Sequence, residues 1–128
     1  MAFKLHIDAL SPHKSTLHLE GRLDALTFGE FDREADKVLQ QMESGSTLVL
    51  DLSLLEYISS AGLRSIAKAR KLMRARDGQT LLLNPQVQVR KVFDIVKAVP
   101  IKEIFQSMHE LDTYLDQIQR KMLGEDME

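Results

Sequence analysis

Two adjacent serines, Ser59 and Ser60, are the residues of this chain best placed to do chemistry. They follow the apolar run Leu48-Val49-Leu50, continued by Asp51, Leu52 and Leu54, and the pair Tyr57-Ile58. Ala61 and Gly62 come next, small residues at a point where a new helix has unpaired backbone N–H groups. A hydroxyl there caps the helix, and a phosphate there is received by the N–H groups and the positive end of the helix dipole. Taken alone, the serines read as caps, worth about 1 kcal/mol.

Other chemistry finds little support. His6, His13, His18 and His109 are scattered, without the His-Glu-x-x-His spacing of a metal site. Neither serine sits in a Gly-x-Ser-x-Gly nucleophile elbow, and Gly62 is a lone glycine without the surroundings of a phosphate-binding loop. Asp51 and Glu56 lie near the serines in sequence, but a carboxylate at a strand end is more often structural than catalytic. The absence of cysteine removes disulfides, thiolate catalysis and cysteine-bound zinc.

Composition narrows the class. The 128 residues suit one domain with one core, and 44% hydrophobic with 28% charged residues is a globular balance. A net charge of -2, from 17 basic and 19 acidic residues spread along the chain, argues against a nucleic-acid surface. The basic concentration of Arg64, Lys68, Arg70, Lys71, Arg74 and Arg76 falls on an expected helix and reads as its wet face. No apolar stretch is long enough to cross a bilayer and the first residues do not begin a signal peptide, so a cytoplasmic location is expected.

The elements that must position the serines follow from periodicity. Phe3 to Leu10 and Ser15 to Leu23 alternate with period two and read as a strand pair. Thr27 and Glu30 have capping-box spacing and open a helix whose apolar stripe is Phe28, Phe31, Ala35, Val38, Leu39 and Met42. The run from Thr47 reads as a strand buried on both faces, hence the centre of a sheet. A helix from the serines to about Arg76 buries Leu63, Ile66, Ala67, Ala69 and Met73, with Arg70 among them and its stem expected to snorkel to the rim. Gln79 to Leu83 is a further strand, and Asn84-Pro85 reads as an N-cap with proline at the first helical position, before Val89, Val92, Phe93 and Val96. Residues 101–105 are a candidate short edge strand. Ser107 and Glu110 form a second capping box before Leu111, Leu115, Ile118 and Met122. Alternating strands and helices require parallel pairings with covering helices.

The stretch from Asp51 to Arg64 resembles the STAS domains of bacterial single-domain anti-sigma factor antagonists. Their pattern is a strand ending in Asp, a short apolar turn, then Asp-Ser-Ser/Thr-Gly-Leu-Gly at a helix start. Here these positions are Asp51, then Tyr57-Ile58, then Ser59-Ser60-Ala61-Gly62-Leu63-Arg64. Gly21-Arg22-Leu23-Asp24 matches the family's loop before the first helix, and Gly78 to Asn84 its following strand. Ser59 stands where the family has aspartate, Ala61 where it has a second Ser or Thr, and Arg64 where it has glycine, placed to pair with a phosphate or to face water.

The resemblance implies an α/β STAS fold: a mixed sheet of four to five strands with about four helices packed mainly on one face, over residues 1–123, and an acidic tail at 124–128 expected to be disordered. It implies Ser60 as phosphoacceptor, with Ser59 the second choice, and a partner-binding rim of Asp24, Ser59, Ser60, Ala61, Gly62 and Arg64. The implied partners are an anti-sigma factor that is also a serine kinase of the GHKL ATPase type, and a PP2C-like serine phosphatase. The unphosphorylated form binds the kinase and the phosphorylated form lets go. No catalysis, cofactor, metal, nucleic acid or membrane partner is implied, and self-association is left open. Two rival readings remain: a module holding a nucleotide or another anion at the Ser59-Ser60 helix start, and a scaffold whose serines only cap.

Overall fold

The computed structural model describes residues 3–8, 11–98 and 107–125. Its elements are β1 (Lys4–Asp8), β2 (Lys14–Leu23), α1 (Phe28–Gln40), β3 (Thr47–Ile58), α2 (Ser60–Ala75), β4 (Gln79–Leu83), α3 (Val87–Ala98) and α4 (Met108–Met122). The four strands form one sheet in the order β1-β2-β3-β4. β1 pairs antiparallel with β2, whereas β2–β3 and β3–β4 are parallel, joined through α1 and α2. The candidate strand at 101–105 and the end of the tail at 126–128 lie outside the described residues.

β3 is central because its start is apolar on both faces: Leu48, Val49 and Leu50 are all buried. Alternate sheet residues, among them Leu17, Leu19, Leu50 and Leu52, join Phe31 of α1, Ile66 and Met73 of α2, Val92 of α3 and Leu115 of α4 in one core. The opposite face carries Lys4, His6 and Asp8, paired across β2 with Glu20, His18 and Thr16.

Beyond Asp51 the strand does not end in a turn, as the sequence pattern suggested, but runs on to Ile58. Two irregularities against β2 make this possible. His18 pairs with Asp51 but Glu20 with Leu54, and Gly21 pairs with Leu55 but Arg22 with Tyr57, so β3 gains a residue at each point. Each extra residue moves the inward phase by one position, and the buried series becomes Leu48, Leu50, Leu52, Leu55, Ile58. Leu54, expected inside, is 56% exposed for this reason. Gly21, at the second irregularity, has φ 94°, a backbone that suits glycine.

The helices depart from expectation in detail. Phe28 is partly exposed, while Ala67 and Arg70 both lie on the wet side of α2, so Arg70 needs no snorkelling. Arg76 is not on the wet face: its guanidinium donates to the carbonyls of Leu39 and Met42, tying down the end of α1. α3 starts at Val87 rather than Pro85 because Asn84 takes φ 51°, and the first helical bond runs from Arg90 N–H to the Gln86 carbonyl. On α4 the buried series is Leu111, Leu115 and Gln119, with Met122 exposed.

Candidate functional site

Ser59 is the N-cap of α2: its backbone is extended and its Oγ accepts a long hydrogen bond from Gly62 N–H, at 3.5 Å. Ser60 is the first helical residue, and its bonds go elsewhere. Its N–H donates to Asp112 Oδ1 at 2.8 Å and its Oγ–H donates to Asp112 Oδ2 at 2.9 Å. A carboxylate from α4 thus occupies the positive end of α2, where both the free N–H and the helix dipole favour an anion. Ser60 is only 3% exposed, so the hydroxyl expected at the surface is covered by α4.

The Gly21-Arg22-Leu23-Asp24 segment is built into the same place. The Leu23 carbonyl accepts from Ser59 N–H at 3.0 Å, which fixes the start of α2 against the end of β2. The Leu23 carbonyl is also what a Cβ on Gly62 would strike, at 2.6 Å, so position 62 excludes a side chain. Arg22 lies over the Tyr57 ring, 3.8 Å from its centroid, and its Nε is 3.5 Å from Asp24 Oδ2. Asp24 Oδ1 accepts from Leu26 N–H at 3.0 Å. Thr27 does not close the expected capping box: its Oγ1 accepts from Asp24 N–H and donates to the Arg22 carbonyl, both within the turn. The turn so held, three residues past the Leu23 carbonyl that meets Ser59, leaves Leu26 94% exposed.

α4 completes the site from the other side. Ser107 caps it, its Oγ accepting from Glu110 N–H at 3.1 Å, as the sequence predicts. Gln119, fully buried, bonds both backbone groups of Ile58. Burial of the Tyr57 phenol pushes its pKa from 10.0 up to about 12, helped by the charge of Asp116 and a hydrogen bond to it, while the Arg22 guanidinium pulls the other way.

The structure therefore gathers Asp24, Ser59, Ser60, Ala61 and Gly62 around the β2 and α2 ends. Ser59, Ala61 and Gly62 are buried, whereas Arg64, one turn further along α2, is exposed and has no ion pair among the described residues. Asp51 is not part of this cluster. It lies on the open face of the sheet, where Oδ1 accepts from Ser53 N–H at 3.0 Å and Oδ2 is 2.7 Å from His18 Nδ1. Burial raises its pKa, but the hydrogen bonds from Ser53 and His18 outweigh that and hold it below the ordinary aspartate value. An ionised carboxylate only accepts, so His18 carries its proton on Nδ1. His18 Nε2 lies 3.5 Å from Asp8 Oδ2. No group of side chains among the described residues is arranged to hold a metal ion, and none of the described helices is long and apolar enough to cross a membrane.

Sequence reasoning missed Asp112, Gln119 and Leu26. Asp112 carries no sequence signal, being an acid in an early turn of a helix like many others. Gln119 had one, since it continues the spacing of Leu111 and Leu115 and so falls in an apolar stripe.

Comparison with known proteins gives a consistent picture. The family model for the STAS domain matches residues 8–111. BtrV of Bordetella bronchiseptica, named as an anti-sigma factor antagonist, is 40% identical over 62 residues, 48% of this chain and 53% of its own length. The chain thus aligns with only about half of that curated relative. Among solved structures, the anti-sigma factor antagonist SpoIIAA in its unphosphorylated form aligns with TM-score 0.58 at 23% identity, over 73% of this chain and 82% of its own. Bacillus SpoIIAA in the phosphorylated form gives 0.58 at 22% identity, over 80% and 96%. An anti-sigma factor antagonist from Mycobacterium paratuberculosis gives 0.58 at 18% identity, over 90% and 95%. These structural likenesses establish the fold: a four-strand mixed sheet with four helices among the described residues.

Proposed function

The chain belongs to the STAS domain family, and from that premise we propose that it is an anti-sigma factor antagonist working by phosphorylation-controlled partner switching. Ser60 is the acceptor. The observation that carries the reading is its place as the first residue of α2, beside a rigid turn that offers Leu26 to a partner. The name of BtrV supports the same role.

In this reading the unphosphorylated chain binds an anti-sigma factor that is also a GHKL-type serine kinase, through the Asp24 turn, Leu26, the α2 start and Arg64. Transfer forms a bond from Ser60 Oγ to the γ-phosphorus of ATP, breaks the bridging P–O bond and releases ADP. The serine proton passes to a base of the kinase. A PP2C-like phosphatase reverses the change by hydrolysis. Phosphorylation adds about -1.5 to -2 charges at the start of α2, next to the partner-binding surface, and the complex dissociates. The chain itself turns over no substrate and works in the cytoplasm.

The rival reading, a bound nucleotide or other anion at the start of α2, has to displace Asp112 from the N–H it already holds. Intact mass and phosphosite mapping of the protein from its native cell test the assignment. A single phosphate, retained in Ser59→Ala and lost in Ser60→Ala, is expected. A phosphate lost only in Ser59→Ala, or none under any growth condition, overturns it.

A further inference from the structure

The acceptor hydroxyl of a kinase substrate has to be reachable, yet Ser60 is 3% exposed and both its N–H and its Oγ–H end on one carboxylate. That carboxylate belongs to α4, an element 52 residues away in sequence. We propose that Asp112 is a latch on the phosphoacceptor: the first half of α4 must leave Ser60 before phosphoryl transfer, and the phosphate then keeps it off. The inference rests on Ser60 being the acceptor and concerns the control of that same site.

Charge and space both drive the release. A phosphoryl group on Oγ brings three acceptor oxygens into the place that Asp112 Oδ2 fills at 2.9 Å. It also sets a dianion against a carboxylate where both compete for the Ser60 N–H and the α2 dipole. The covalently attached anion wins, because Asp112 reaches the site only through the docking of its helix. Arg64 offers the phosphate a better companion. It lies at i+4 from Ser60, on the same side of α2, and is exposed and unpaired among the described residues.

Release is confined to the first turns of α4. Further along, Gln119 holds Ile58 by two hydrogen bonds and Leu115 is fully buried, so the second half stays docked and acts as the hinge. The moving surface is Leu111, Asp112 and their neighbours. Their departure uncovers the apolar ground beneath Leu111 next to the α2 start, so the phosphorylated chain differs from the free one in shape as well as in charge.

The test is hydrogen–deuterium exchange on the full chain, with phosphoserine incorporated at position 60 during synthesis so that no kinase is needed. The phosphate is expected to speed exchange across 108–115 by about tenfold or more, with β3 and the second half of α2 unchanged. In Asp112→Asn, which keeps an oxygen for the Ser60 N–H but carries no charge, the same phosphate is expected to speed exchange markedly less. No acceleration in the phosphorylated wild type, or an equal one in Asp112→Asn, overturns the latch. Neither result bears on which serine the cell modifies, and phosphosite mapping decides that separately.

Discussion

Gln119 pairs with Ile58 as a neighbouring strand would. Its Oε1 accepts from Ile58 N–H at 2.9 Å and its Nε2 donates to the Ile58 carbonyl at 2.8 Å, closing a ring of two hydrogen bonds at the last residue of β3. Beyond β4, which reaches β3 only as far as Asp51, this side chain does the work of a missing ladder rung. It holds the strand end from which Ser59 and Ser60 emerge.

Replacing Gln119 by Leu therefore leaves a buried N–H and a buried carbonyl without partners, each costing about 1–3 kcal/mol. We expect a loss of about 2–4 kcal/mol in urea unfolding, at unchanged helix content in the native state. A loss within about 0.5 kcal/mol, the range of an ordinary surface substitution, contradicts the assigned role.

Gly62→Ala tests the packing of α2 on the end of β2. The added methyl meets the Leu23 carbonyl at 2.6 Å and the side chains of Ile58 and Leu23 at 2.9 Å, and the carbonyl is backbone that cannot rotate away. A cost of about 1–3 kcal/mol is expected from overpacking, although alanine is the better helix former. A stabilised variant in thermal or urea unfolding contradicts this close approach.

Much of this architecture is legible in the sequence, and the failures have physical causes. The run of Leu48, Val49 and Leu50 marks a central strand because both faces must be apolar, and Ser59 followed by small residues marks a helix start. Leu54 misleads because period-two counting slips at each added residue of β3, and nothing in the local sequence declares a bulge. Thr27 misleads because its hydroxyl finds partners inside the turn it was expected to leave. Asp112 and Gln119 find their partners over separations of 52 and 61 residues; helical spacing marks Gln119 as inward-facing, but nothing local names Ile58 or Ser60 as the group each one meets.

Leu26 is 94% exposed on a turn fixed by Asp24 and Thr27, so it offers apolar area at little entropic cost on binding. Leu26→Asp is expected to leave stability within about 0.5 kcal/mol of the parent. It should weaken retention of the kinase partner by about tenfold or more, as loss of an interface anchor does. Undiminished retention removes the turn from the interface.

The Tyr57 phenol, held at about 12 by burial and by Asp116, gives a pH signature. The fold favours its neutral form, so its contribution to stability is intact below pH 10 and is lost as pH rises through about 12. Titration by phenolate absorbance in a Tyr114→Phe background is expected to show this raised value, and Asp116→Asn to bring it back toward 10.0. A phenol that titrates at its ordinary value in the folded parent contradicts the contact.

The central claim is that one phosphate at Ser60 decides whether a partner stays bound. It is tested most directly by immobilising the full chain with Ser60 free and with Ser60 phosphorylated, and quantifying by mass spectrometry what each retains from native lysate. The account predicts a GHKL-type ATPase held by the free form and lost from the phosphorylated one, with the difference reproduced on the purified pair. Equal retention of that protein by both forms contradicts it.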